Sequence, residues 1–587
     1  MILSAISLWK KFNLKNPLDA SEWGVDVKDG VLYSHVSFSG NAASDGSVRI
    51  YARFGRPAKP GKYPCILFLQ DAGKEADDEV MTYFVEKGYA VLMPDYSGKT
   101  STQTEEAEAT ADIVEAEGGT DATETENPMY TVYPKSLEYG NYEKARGLYD
   151  MEGLTAEETT WFEWTSVALY AVEYLKARED IGNIGVVGVR KGGELAWHVM
   201  LSPDIKCGIP VNAAGWRSFA NIAKFGDNIA HDLSDDRHRY IAAVEAQSYA
   251  PYVKCPVLML CALRDAEFDC DRAYDTYSRI GAPYGNALVY SPESGDCIGP
   301  YGLADMDLFL EKGLKGREIY IPNTLNVSLA ETDDGVQITV DCDKEGILEE
   351  AGIFYAEADV KTRSTFRDWR HVYNVDGRSV KNGQIVHSVK PFAGAKAVFV
   401  YAYAKYINGF RVMSKIVSKR LSKYNPNAVK SRMLFSGKEM DCFVVANHED
   451  YSIGGIFLER ESIPKRSLGY GNISGAYAMS GIRTYKISSP EYIPDENALL
   501  EFDVYSTETQ QLEIAIEVAD AEKAKERYTC IVDVNGGGKW KRIILKAADF
   551  NGEVSGIPLQ NFFEGSALVF DCLDEEKEFA ITNILWL

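Results

Sequence analysis

Short apolar runs alternate with segments of helical periodicity between about residue 25 and residue 315. Runs that are apolar throughout are typical of strands buried on both faces, and apolar residues at helical spacing predict helices. The alternation therefore predicts an α/β domain at residues 1–318, with a mostly parallel sheet and helices on both faces. The predicted strands are Val48–Phe54, Tyr63–Leu69, Ala90–Met93, Ile184–Gly188, Gly208–Asn212, Pro256–Leu263 and Ala287–Tyr290, and the predicted helices are Asp78–Lys87, Thr160–Ala177, Lys191–Leu201 and Ala304–Leu314.

After Ile321 and Pro322 the helical periodicity stops, and short strands separated by turn residues follow. Such strands over about 100 residues are typical of an immunoglobulin- or fibronectin-like β-sandwich, which we predict at residues 319–425. The polar stretch Ser422–Asn427 predicts the next boundary. The predicted strands of this sandwich are Asn326–Leu329, Val336–Cys342, Gly352–Ala358, His371–Val375, Gln384–Val389 and Ala397–Lys405.

Residues 426–587 form a second predicted β-sandwich. Its length, its strand pattern and its final apolar strand, which ends near Trp586, resemble the jelly-roll modules appended to carbohydrate-active enzymes. That resemblance implies carbohydrate as a candidate ligand. The whole chain is thus predicted to be multidomain, an α/β region followed by two all-β sandwiches.

Residues 100–134 depart from the α/β pattern, because they carry nine acidic residues and no Lys or Arg. Such a segment cannot bury enough apolar surface to join a core. It follows a predicted strand end, where loops border the cleft of an α/β domain. Two interpretations stay open, a solvated insertion, which we favour, and a mobile lid over the cleft.

The formal net charge of −25 would repel a phosphate backbone or an anionic membrane, and no basic patch offsets it. We therefore expect neither nucleic acid nor a membrane as a partner. No apolar segment approaches the roughly 20 residues that cross a bilayer, and the N-terminus lacks the features of a secretory signal in their usual order. The 10 Cys are scattered without a C-x-x-C pair, which favours free thiols in a reducing cytoplasm. We expect a soluble cytoplasmic protein without a cofactor.

Gly188-Val189-Arg190-Lys191-Gly192 has the form of a nucleophile elbow, G-x-S-x-G, with arginine in place of the serine. In such an elbow a strand turns sharply into a helix, which raises the central side chain above the sheet and aims the next backbone N–H at a developing oxyanion. An arginine side chain stays protonated, so it binds anions and cannot attack an acyl carbon. The motif therefore predicts a hydrolase scaffold without its nucleophile.

With two further segments, the elbow resembles the acetyl-xylan esterase, dienelactone hydrolase and acyl-peptidase branch of the α/β-hydrolases. Tyr249–Leu258 resembles the lead-in to the acid strand, and Cys261–Asp265 closes a G-x-x-x-D-like turn. The resemblance covers about half the chain. It implies a catalytic triad in the chain order Ser, Asp, His, and it assigns Asp265 as the triad acid.

The same resemblance implies a histidine after the last strand, in a segment like Tyr-Pro-x-x-Gly-His-Gly. The corresponding segment, Tyr290–Cys297, has Asp296 at that position, and no histidine lies between His238 and His371. Without an imidazole base, even a nearby serine hydroxyl is a weak nucleophile. The resemblance therefore implies that the general base is missing as well.

The replaced triad is Arg190, Asp265 and Asp296, one guanidinium facing two carboxylates. Paired carboxylates offset the cost of burying an arginine, so this set is electrostatically coherent. Two interpretations stay open. We favour an internal salt bridge that fills a dead cleft, and the alternative is a polar recognition site for a small anionic ligand.

The oxyanion hole of this scaffold is expected at the backbone N–H of Lys191 and at that of Gln70 or Asp71, which follow a predicted strand. A carboxylate at Asp71 disfavours an anion there and weakens an esterase interpretation. We expect Gly192 and Gly193 to permit close packing of the helix on the strands, and not to contact a ligand.

Other candidate residues carry weaker signals. His231 and His238 could share a helical face with neighbouring aspartates and bind a metal ion, but we favour a solvated helix and predict no metal site. Six aromatic residues could stack on a sugar, although most such residues belong to cores or cover surfaces. They are Trp161, Trp164, Trp216, Tyr470, Tyr477 and Trp540.

The residues are compatible with three functions. The preferred one is a non-catalytic protein of hydrolase fold that binds a ligand, carbohydrate among the candidates, or a partner. The second is an active carbohydrate esterase or peptidase with an unrecognised nucleophile, and the third is a scaffold or adhesion protein in which the β-modules bind. The sequence identifies neither the ligand nor the oligomeric state.

Overall fold

The computed structural model describes residues 4–10, 12–99, 128–146, 155–220, 222–226, 233–265, 267–292, 295, 297–439, 442–446, 452–458, 465–468, 473–478, 481–518, 526–574 and 577–587. Most of the acidic insertion (100–134) lies outside these residues. Asp296, His231 and Tyr470 also lie outside them, so the predictions made for these side chains stay predictions.

One mixed sheet of nine strands organises the N-terminal region, residues 1–318. Its strands are β1 (Ser21–Lys28), β2 (Val31–Ala43), β3 (Gly46–Pro57), β4 (Tyr63–Leu69), β5 (Ala90–Asp95), β6 (Ile181–Val189), β7 (Ile205–Val211), β8 (Leu258–Ala262) and β9 (Ala287–Ser291). They lie in the order β1-β2-β3-β5-β4-β6-β7-β8-β9. Neighbours are antiparallel from β1 to β5 and parallel from β5 to β9.

Helices cover both faces of this sheet, as predicted for the α/β region. They are α1 (Ala5–Trp9), α2 (Asp78–Glu86), α3 (Thr160–Ala177), α4 (Lys191–Val199), α5 (Asp235–Ala243), α6 (Ala246–Tyr249), α7 (Cys270–Tyr277) and α8 (Pro300–Lys315). A Cβ added to Gly313 of α8 would meet Cys207 in β7, whereas one added to the next strand residue, Gly208, would meet Met200 at the end of α4. Successive strand residues point to opposite faces, so α4 and α8 lie on opposite sides. No helix in the described part of the chain is long and apolar enough to span a membrane.

The sequence pattern did not predict β1 and β2 as strands. β1 is exposed along almost its whole length and has a register shift between Trp23 and Asp26. An edge strand that faces solvent needs no apolar run, and charges and a bulge protect its free edge from further pairing. In β2 buried positions alternate with half-buried ones, so this strand also lacks the continuous apolar run of the parallel strands.

Antiparallel sheets form the middle region, residues 319–425. Its strands are β10 (Asn326–Glu331), β11 (Val336–Asp341), β12 (Leu348–Ala358), β13 (Arg370–Asp376), β14 (Gln384–Val389), β15 (Ala397–Tyr406), β16 (Arg411–Met413) and β17 (Val417–Arg420). One sheet has the order β10-β11-β14, and the other has the order β13-β12-β15-β16 with β17 paired to β15.

The C-terminal region, residues 426–587, is also built of antiparallel strands. They are β18 (Met433–Phe435), β19 (Val444–Val445), β20 (Ser452–Ile453), β21 (Phe457–Leu458), β22 (Lys465–Leu468), β23 (Ile473–Ala478), β24 (Ile482–Thr484), β25 (Leu499–Ser506), β26 (Gln510–Val518), β27 (Glu526–Val534), β28 (Lys539–Lys546), β29 (Asn551–Gly552), β30 (Ala567–Cys572) and β31 (Phe579–Trp586). The sheet β22-β23-β31-β25-β28, with β18 on β31, shares an apolar core with β19-β24-β30-β26-β27-β29. The rings of Phe502 and Phe570 meet across that core, 5.1 Å apart. The immunoglobulin-like and jelly-roll assignments of the two all-β regions stay predictions.

The three regions pack against one another. Tyr290 of β9 and Tyr401 of β15 have ring centroids 5.3 Å apart, so the core continues from the N-terminal into the middle region. In the β20-β21 pair, Phe457 forms a β-bridge with Ile298, and its ring lies 5.6 Å from that of Phe84 in α2. Part of the C-terminal region therefore returns to the first sheet, and the boundaries near residues 318 and 425 stay predictions.

Candidate functional site

The elbow between β6 and α4 keeps a strained backbone. Arg190, the residue between the strand and the helix, has φ 51° and ψ −112°. A positive φ in a residue other than glycine costs roughly 1–3 kcal/mol and persists only where the surrounding structure enforces it. Here the Arg190 N–H donates to Val211 O at 2.9 Å, and Glu194 N–H donates back to Arg190 O at 3.0 Å. The sharp strand-to-helix turn that the G-x-S-x-G form predicts is therefore present, with a guanidinium on it.

Three glycines allow this turn to pack closely. A Cβ on Gly192 would lie 2.2 Å from the backbone oxygens of both Leu69 and Gln70. A Cβ on Gly188 would lie 2.3 Å from Gly192 O, and one on Gly193 would lie 2.6 Å from the Cβ of Ala213. No side chain fits at these positions, so the glycines set how near α4 comes to the strand ends.

Asp265 is held on all sides after the end of β8. Its carboxylate accepts hydrogen bonds from Arg190 Nε at 3.1 Å, from Asn212 Nδ2 at 3.0 Å and from the N–H groups of Glu267 and Phe268 at 2.8 and 3.2 Å. The side chain is 1% exposed. Four donors saturate the lone pairs of a carboxylate that has left water, so Asp265 is a fixed anion.

The carboxylate of Asp71 lies at the N-terminus of α4. The backbone N–H of Lys191 donates to Asp71 Oδ1 at 3.2 Å. The Lys191 ammonium lies 3.6 Å from the same oxygen, and Arg190 Nη1 lies 3.8 Å from Asp71 Oδ2. The sequence predicted Asp71 as a hindrance beside an oxyanion hole at the Lys191 N–H; in the structure its carboxylate accepts that N–H, and the hole itself stays a prediction. Gln70, the other predicted residue, is buried, and its carbonyl accepts from Tyr96 Oη at 2.6 Å.

Of the three predicted triad positions, the structure brings Arg190 and Asp265 together, and Asp296 lies outside the described residues. His238 lies on α5 and is exposed. Among the described residues, no group of three His, Cys, Asp or Glu side chains could hold a metal ion.

Five of the six aromatic candidates lie among the described residues; Tyr477 is buried in β23, and the environment of the other four indicates their role. Trp161 and Trp164 belong to the core. Trp216 donates from Nε1 to Thr276 Oγ1 at 2.9 Å and lies under two guanidinium groups, those of Arg272 and Arg279, at 5.6 and 5.0 Å. Trp540 is half-buried in β28, where its ring centroid lies 5.5 Å from that of Tyr505. Only Trp540 of these four lies on a sheet face of the C-terminal region.

Sequence reasoning missed the buried acid Glu194, which stands directly behind the elbow. Its carboxylate accepts the N–H of Gly215 at 2.9 Å. Burial raises the pKa of Glu194 to about 7, and Arg217 opposes that rise. A charged residue in a helix is normally expected to be exposed, so no sequence pattern indicates that this one is buried.

Arg264, the residue before Asp265, joins all three regions. Its Nε donates to Pro292 O at 3.1 Å, and its Nη1 donates to the carbonyls of Thr365 and Arg367 at 2.9 and 2.7 Å. The ring of Tyr485 lies 3.8 Å from the centre of the guanidinium. These contacts use the several N–H donors and the flat face of the guanidinium together, a combination that only an arginine offers.

The middle region also holds the loop of Asp265 directly. Thr365 Oγ1 donates to Asp265 O at 2.9 Å. Arg367 forms a bidentate pair with Asp271 at 2.6 and 2.8 Å, and the two side chains are 1% and 4% exposed. We call Arg264, Asp271, Thr365, Arg367 and Tyr485 the junction cluster, and Asp71, Arg190, Lys191 and Asp265 the cleft cluster. The loop that carries the triad-equivalent acid is thus built by three regions of the chain.

The chemistry of the cleft cluster is that of ion pairing. Arg190 and Lys191 supply donors and positive charge, and Asp71 and Asp265 supply acceptors. A permanently charged guanidinium offers no lone pair for attack on a carbonyl. The arrangement can therefore bind an anion, and none of its four side chains can serve as an acyl-transfer nucleophile activated by an imidazole.

Solved structures similar to this chain include esterases. An acetyl xylan esterase from Paenibacillus sp. R4 is 16% identical, with a TM-score of 0.37, and the match covers 53% of this chain and 92% of that one. Acetyl xylan esterase 1 from Thermoanaerobacterium sp. JW/SL YS485 is 15% identical, also with a TM-score of 0.37, over 52% of this chain and 92% of its own. Est1E from Butyrivibrio proteoclasticus is 14% identical, with a TM-score of 0.30, over 48% of this chain and 98% of its own. No family model and no curated protein matches the sequence.

Proposed function

We propose that this chain is a non-catalytic protein of α/β-hydrolase fold, whose cleft binds and does not cleave. One observation carries the proposal: the Lys191 N–H that would stabilise an oxyanion already donates to the carboxylate of Asp71, at 3.2 Å. A negative charge at that point opposes the charge that develops on an attacked acyl oxygen. The arginine at the nucleophile position also supports a loss of catalysis.

The described histidine nearest the elbow in sequence offers no replacement base. His198 in α4 is buried, and its two ring nitrogens contact Thr165 Oγ1 at 2.8 Å and Val244 O at 2.7 Å. Burial lowers its pKa to about 4. This imidazole is neutral and fully used inside the core, so it cannot take a proton from a nucleophile in the cleft.

The assignment to the α/β-hydrolase fold is supported by the sheet and the elbow. Strands β5 to β9 are parallel, and β6 leads through Arg190 into α4 at the centre of that sheet. Asp265 follows β8 and reaches the same elbow. In this proposal, residues 319–425 are an immunoglobulin-like sandwich and residues 426–587 a jelly-roll module that complete the fold around the cleft.

Assays of the full chain test the loss of catalysis. We expect no hydrolysis of p-nitrophenyl acetate or acetylated xylan above the buffer rate, and no labelling by a fluorophosphonate. An active acetyl xylan esterase at equal concentration is the positive control. A labelled serine peptide from residues 1–318 would contradict the proposal and would identify the nucleophile of the alternative, an active esterase or peptidase.

A second candidate function is carbohydrate binding by the C-terminal region. On β25 and β28 the rings of Tyr505 and Trp540 lie beside Asp503, whose carboxylate meets Arg542 Nε at 3.2 Å and Asn583 Nδ2 at 2.8 Å. Aromatic rings next to paired polar groups suit a sugar ring, which has apolar C–H faces and a rim of hydroxyls. This proposal also covers the scaffold alternative, in which the β-modules alone bind.

Calorimetric titration with xylo-oligosaccharides tests the second candidate. We expect saturable heat with the full chain and its loss in Trp540→Ala. Trp23→Ala, which changes a half-buried tryptophan on β1, is the matched control and is expected to keep the heat of binding. Equal binding by both variants would contradict a site on the C-terminal sheet.

A further inference from the structure

We propose that the cleft cluster is a binding site for small carboxylates, in which Asp71 occupies the position of the ligand as a displaceable internal carboxylate. This inference rests on the proposed loss of catalysis and adds to it the chemical class of the ligand. It starts from Lys191. The side chain of Lys191 is 10% exposed, and among the described residues its ammonium has one ionic partner, Asp71 Oδ1, at 3.6 Å.

A distance of 3.6 Å is too long for a hydrogen bond between an ammonium and a carboxylate. In the described part of the chain, this ammonium therefore has three N–H donors, one ionic partner and no hydrogen-bond acceptor. An ammonium without an acceptor at hydrogen-bond distance favours one that comes closer than Asp71 does. The first backbone N–H of α4 and the guanidinium of Arg190 lie against the same carboxylate, at 3.2 and 3.8 Å. Three donors of different origin thus converge on one acceptor position.

Asp71 is held much less firmly than Asp265. Besides the N–H of Lys191, the Asp71 carboxylate accepts a hydrogen bond from its own turn, from Ala72 N–H at 2.9 Å. Its side chain is 17% exposed, against 1% for Asp265, and the turn continues into Gly73 at φ 78°. Water can solvate Asp71 once it leaves the Lys191 N–H. The carboxylate of Asp71 can therefore leave the Lys191 N–H, while Asp265 keeps Arg190 in place.

Charge selects the class of ligand. Arg190 and Lys191 carry two positive charges, and Asp265 and Asp71 carry two negative ones. A monocarboxylate that replaces Asp71 keeps that balance, and its two oxygens can accept from the guanidinium, the ammonium and the helix N–H together. A phosphate dianion would add a second negative charge close to the saturated Asp265. The openings at Arg190 and Asp71, which are 23% and 17% exposed, direct the rest of the ligand toward solvent.

Acetate is the probe, titrated into the full chain by calorimetry at constant ionic strength. We expect saturable binding to the wild-type protein and, because Asp71 competes for the same donors, roughly tenfold tighter binding to Asp71→Asn. Lys191→Met is expected to weaken acetate binding by roughly tenfold or more. Lys74→Met removes an exposed lysine a few residues after Asp71 and is the matched control, with acetate affinity unchanged.

Three results would overturn the inference: no saturable acetate binding by wild type and Asp71→Asn, equal affinity in Lys191→Met and Lys74→Met, or the same heat with chloride in place of acetate. Asp71→Asn/Lys191→Met guards against a folding artefact, because it removes both charges together and is still expected to lose the tighter binding. Fluorophosphonate labelling of the same preparations reports on catalysis separately. Loss of acetate binding without labelling contradicts this inference alone, and labelling contradicts the proposed function.

Discussion

The cleft cluster and the junction cluster meet at the loop after β8, which carries Asp265 of the first and Arg264 of the second, and both pair guanidinium groups with carboxylates. In the junction cluster, Arg367 and Asp271 meet at 2.6 and 2.8 Å and are 1% and 4% exposed. In the cleft cluster, Asp71 lies 3.6 and 3.8 Å from its two cations. The junction cluster is closed and fixed, whereas the part of the cleft cluster around Asp71 is open and loosely paired.

The difference teaches where to look for function among similar residues. A close, buried pair has given up its hydration and cannot exchange its partner without leaving a bare charge behind. A loose pair near solvent loses little when an outside anion replaces the inner one. Arginine and aspartate alone therefore do not mark a binding site, whereas the distances and the exposure of the pair do.

The largest effect is expected where the junction cluster is broken. Arg367→Ala leaves the carboxylate of Asp271 buried without its bidentate partner, and it removes the guanidinium from the face of Phe399, 3.6 Å away. Removing one partner of a buried ion pair destabilises a protein by about 3–5 kcal/mol. Urea unfolding followed by tryptophan fluorescence measures the loss.

A surface pair supplies the control for that variant. Arg317 is 65% exposed and pairs with Glu311, so Arg317→Ala is expected to change stability by about 0–1 kcal/mol. Adding Asp271→Asn to Arg367→Ala should restore part of the loss, because the uncompensated charge disappears. Similar unfolding curves for Arg367→Ala and Arg317→Ala would mean that the two kinds of pair do not differ as we describe.

A smaller loss of stability is expected from a substitution in the backbone of the cleft, which is closely packed although the ion pairs of Asp71 are long. In Gly192→Ala the new Cβ would lie 2.2 Å from two backbone oxygens of Leu69 and Gln70. Forcing atoms into a packed site costs about 1–3 kcal/mol, measurable as a lowered urea midpoint. In Gly182→Ala, near the start of β6, the new Cβ meets its nearest atom at 3.4 Å, so the midpoint is expected to stay almost unchanged. Equal midpoints would show that the elbow is not closely packed.

Much of the fold could be predicted from the sequence, because packed elements carry long apolar patterns. The predicted helix Thr160–Ala177 has the bounds of α3, and the predicted strand Tyr63–Leu69 has those of β4. β1 could not be predicted, since an exposed edge strand has no apolar face to reveal it. The docking of Phe457 on α2 depends on how distant regions meet, and no local pattern encodes that.

The candidate site, too, could be predicted from the sequence only in part. The motif order gave the pairing of Arg190 with Asp265, because the elbow and the acid turn each have a local form. The contact of Asp71 with Lys191 joins residues 120 positions apart and follows from the approach of two strand ends. Arg264 acts on backbone carbonyls, whose position has no side-chain signature, so the junction cluster could not be predicted.

The pH dependence of stability tests a third kind of buried acid, a carboxyl with no ion pair among the described residues. Asp305 in α8 is buried, accepts the N–H of Arg411 at 2.8 Å, and leaves Oδ2 without a hydrogen bond. The Arg411 guanidinium stacks on Tyr301 instead, at 3.9 Å. Burial raises the pKa of Asp305 to about 8. Its folded form is therefore the protonated acid at neutral pH.

A raised pKa in the folded state stabilises the protein at low pH only. Below the unfolded value, near 4, the contribution of Asp305 is complete, and it is lost as the pH rises toward about 8. Asp305→Asn removes this term, so between pH 5 and 8 the variant is expected to lose at least about 1 kcal/mol less unfolding free energy than the wild type. Burial also raises the pKa values of Glu163 and Glu194, to about 7 each, and both are present in the two proteins, so they cancel in the difference. Parallel pH profiles from urea unfolding would rule out a buried protonated Asp305.

The smallest effect, no change in ester hydrolysis, is expected from the substitution that restores the serine of the elbow. Arg190→Ser restores the G-x-S-x-G sequence of the elbow, yet Asp71 still holds the Lys191 N–H, and His198 is still enclosed by Thr165 and Val244. Asp265 keeps its three other donors, from Asn212, Glu267 and Phe268. We expect p-nitrophenyl acetate hydrolysis to stay at the wild-type rate. Turnover in Arg190→Ser would show that a base does reach the elbow and that the arginine alone silences it; the loose pairing of the cleft cluster would then be a property of a blocked enzyme. An unchanged rate would instead place the loss of catalysis in the whole set of charges around α4, where restoring one residue cannot bring it back.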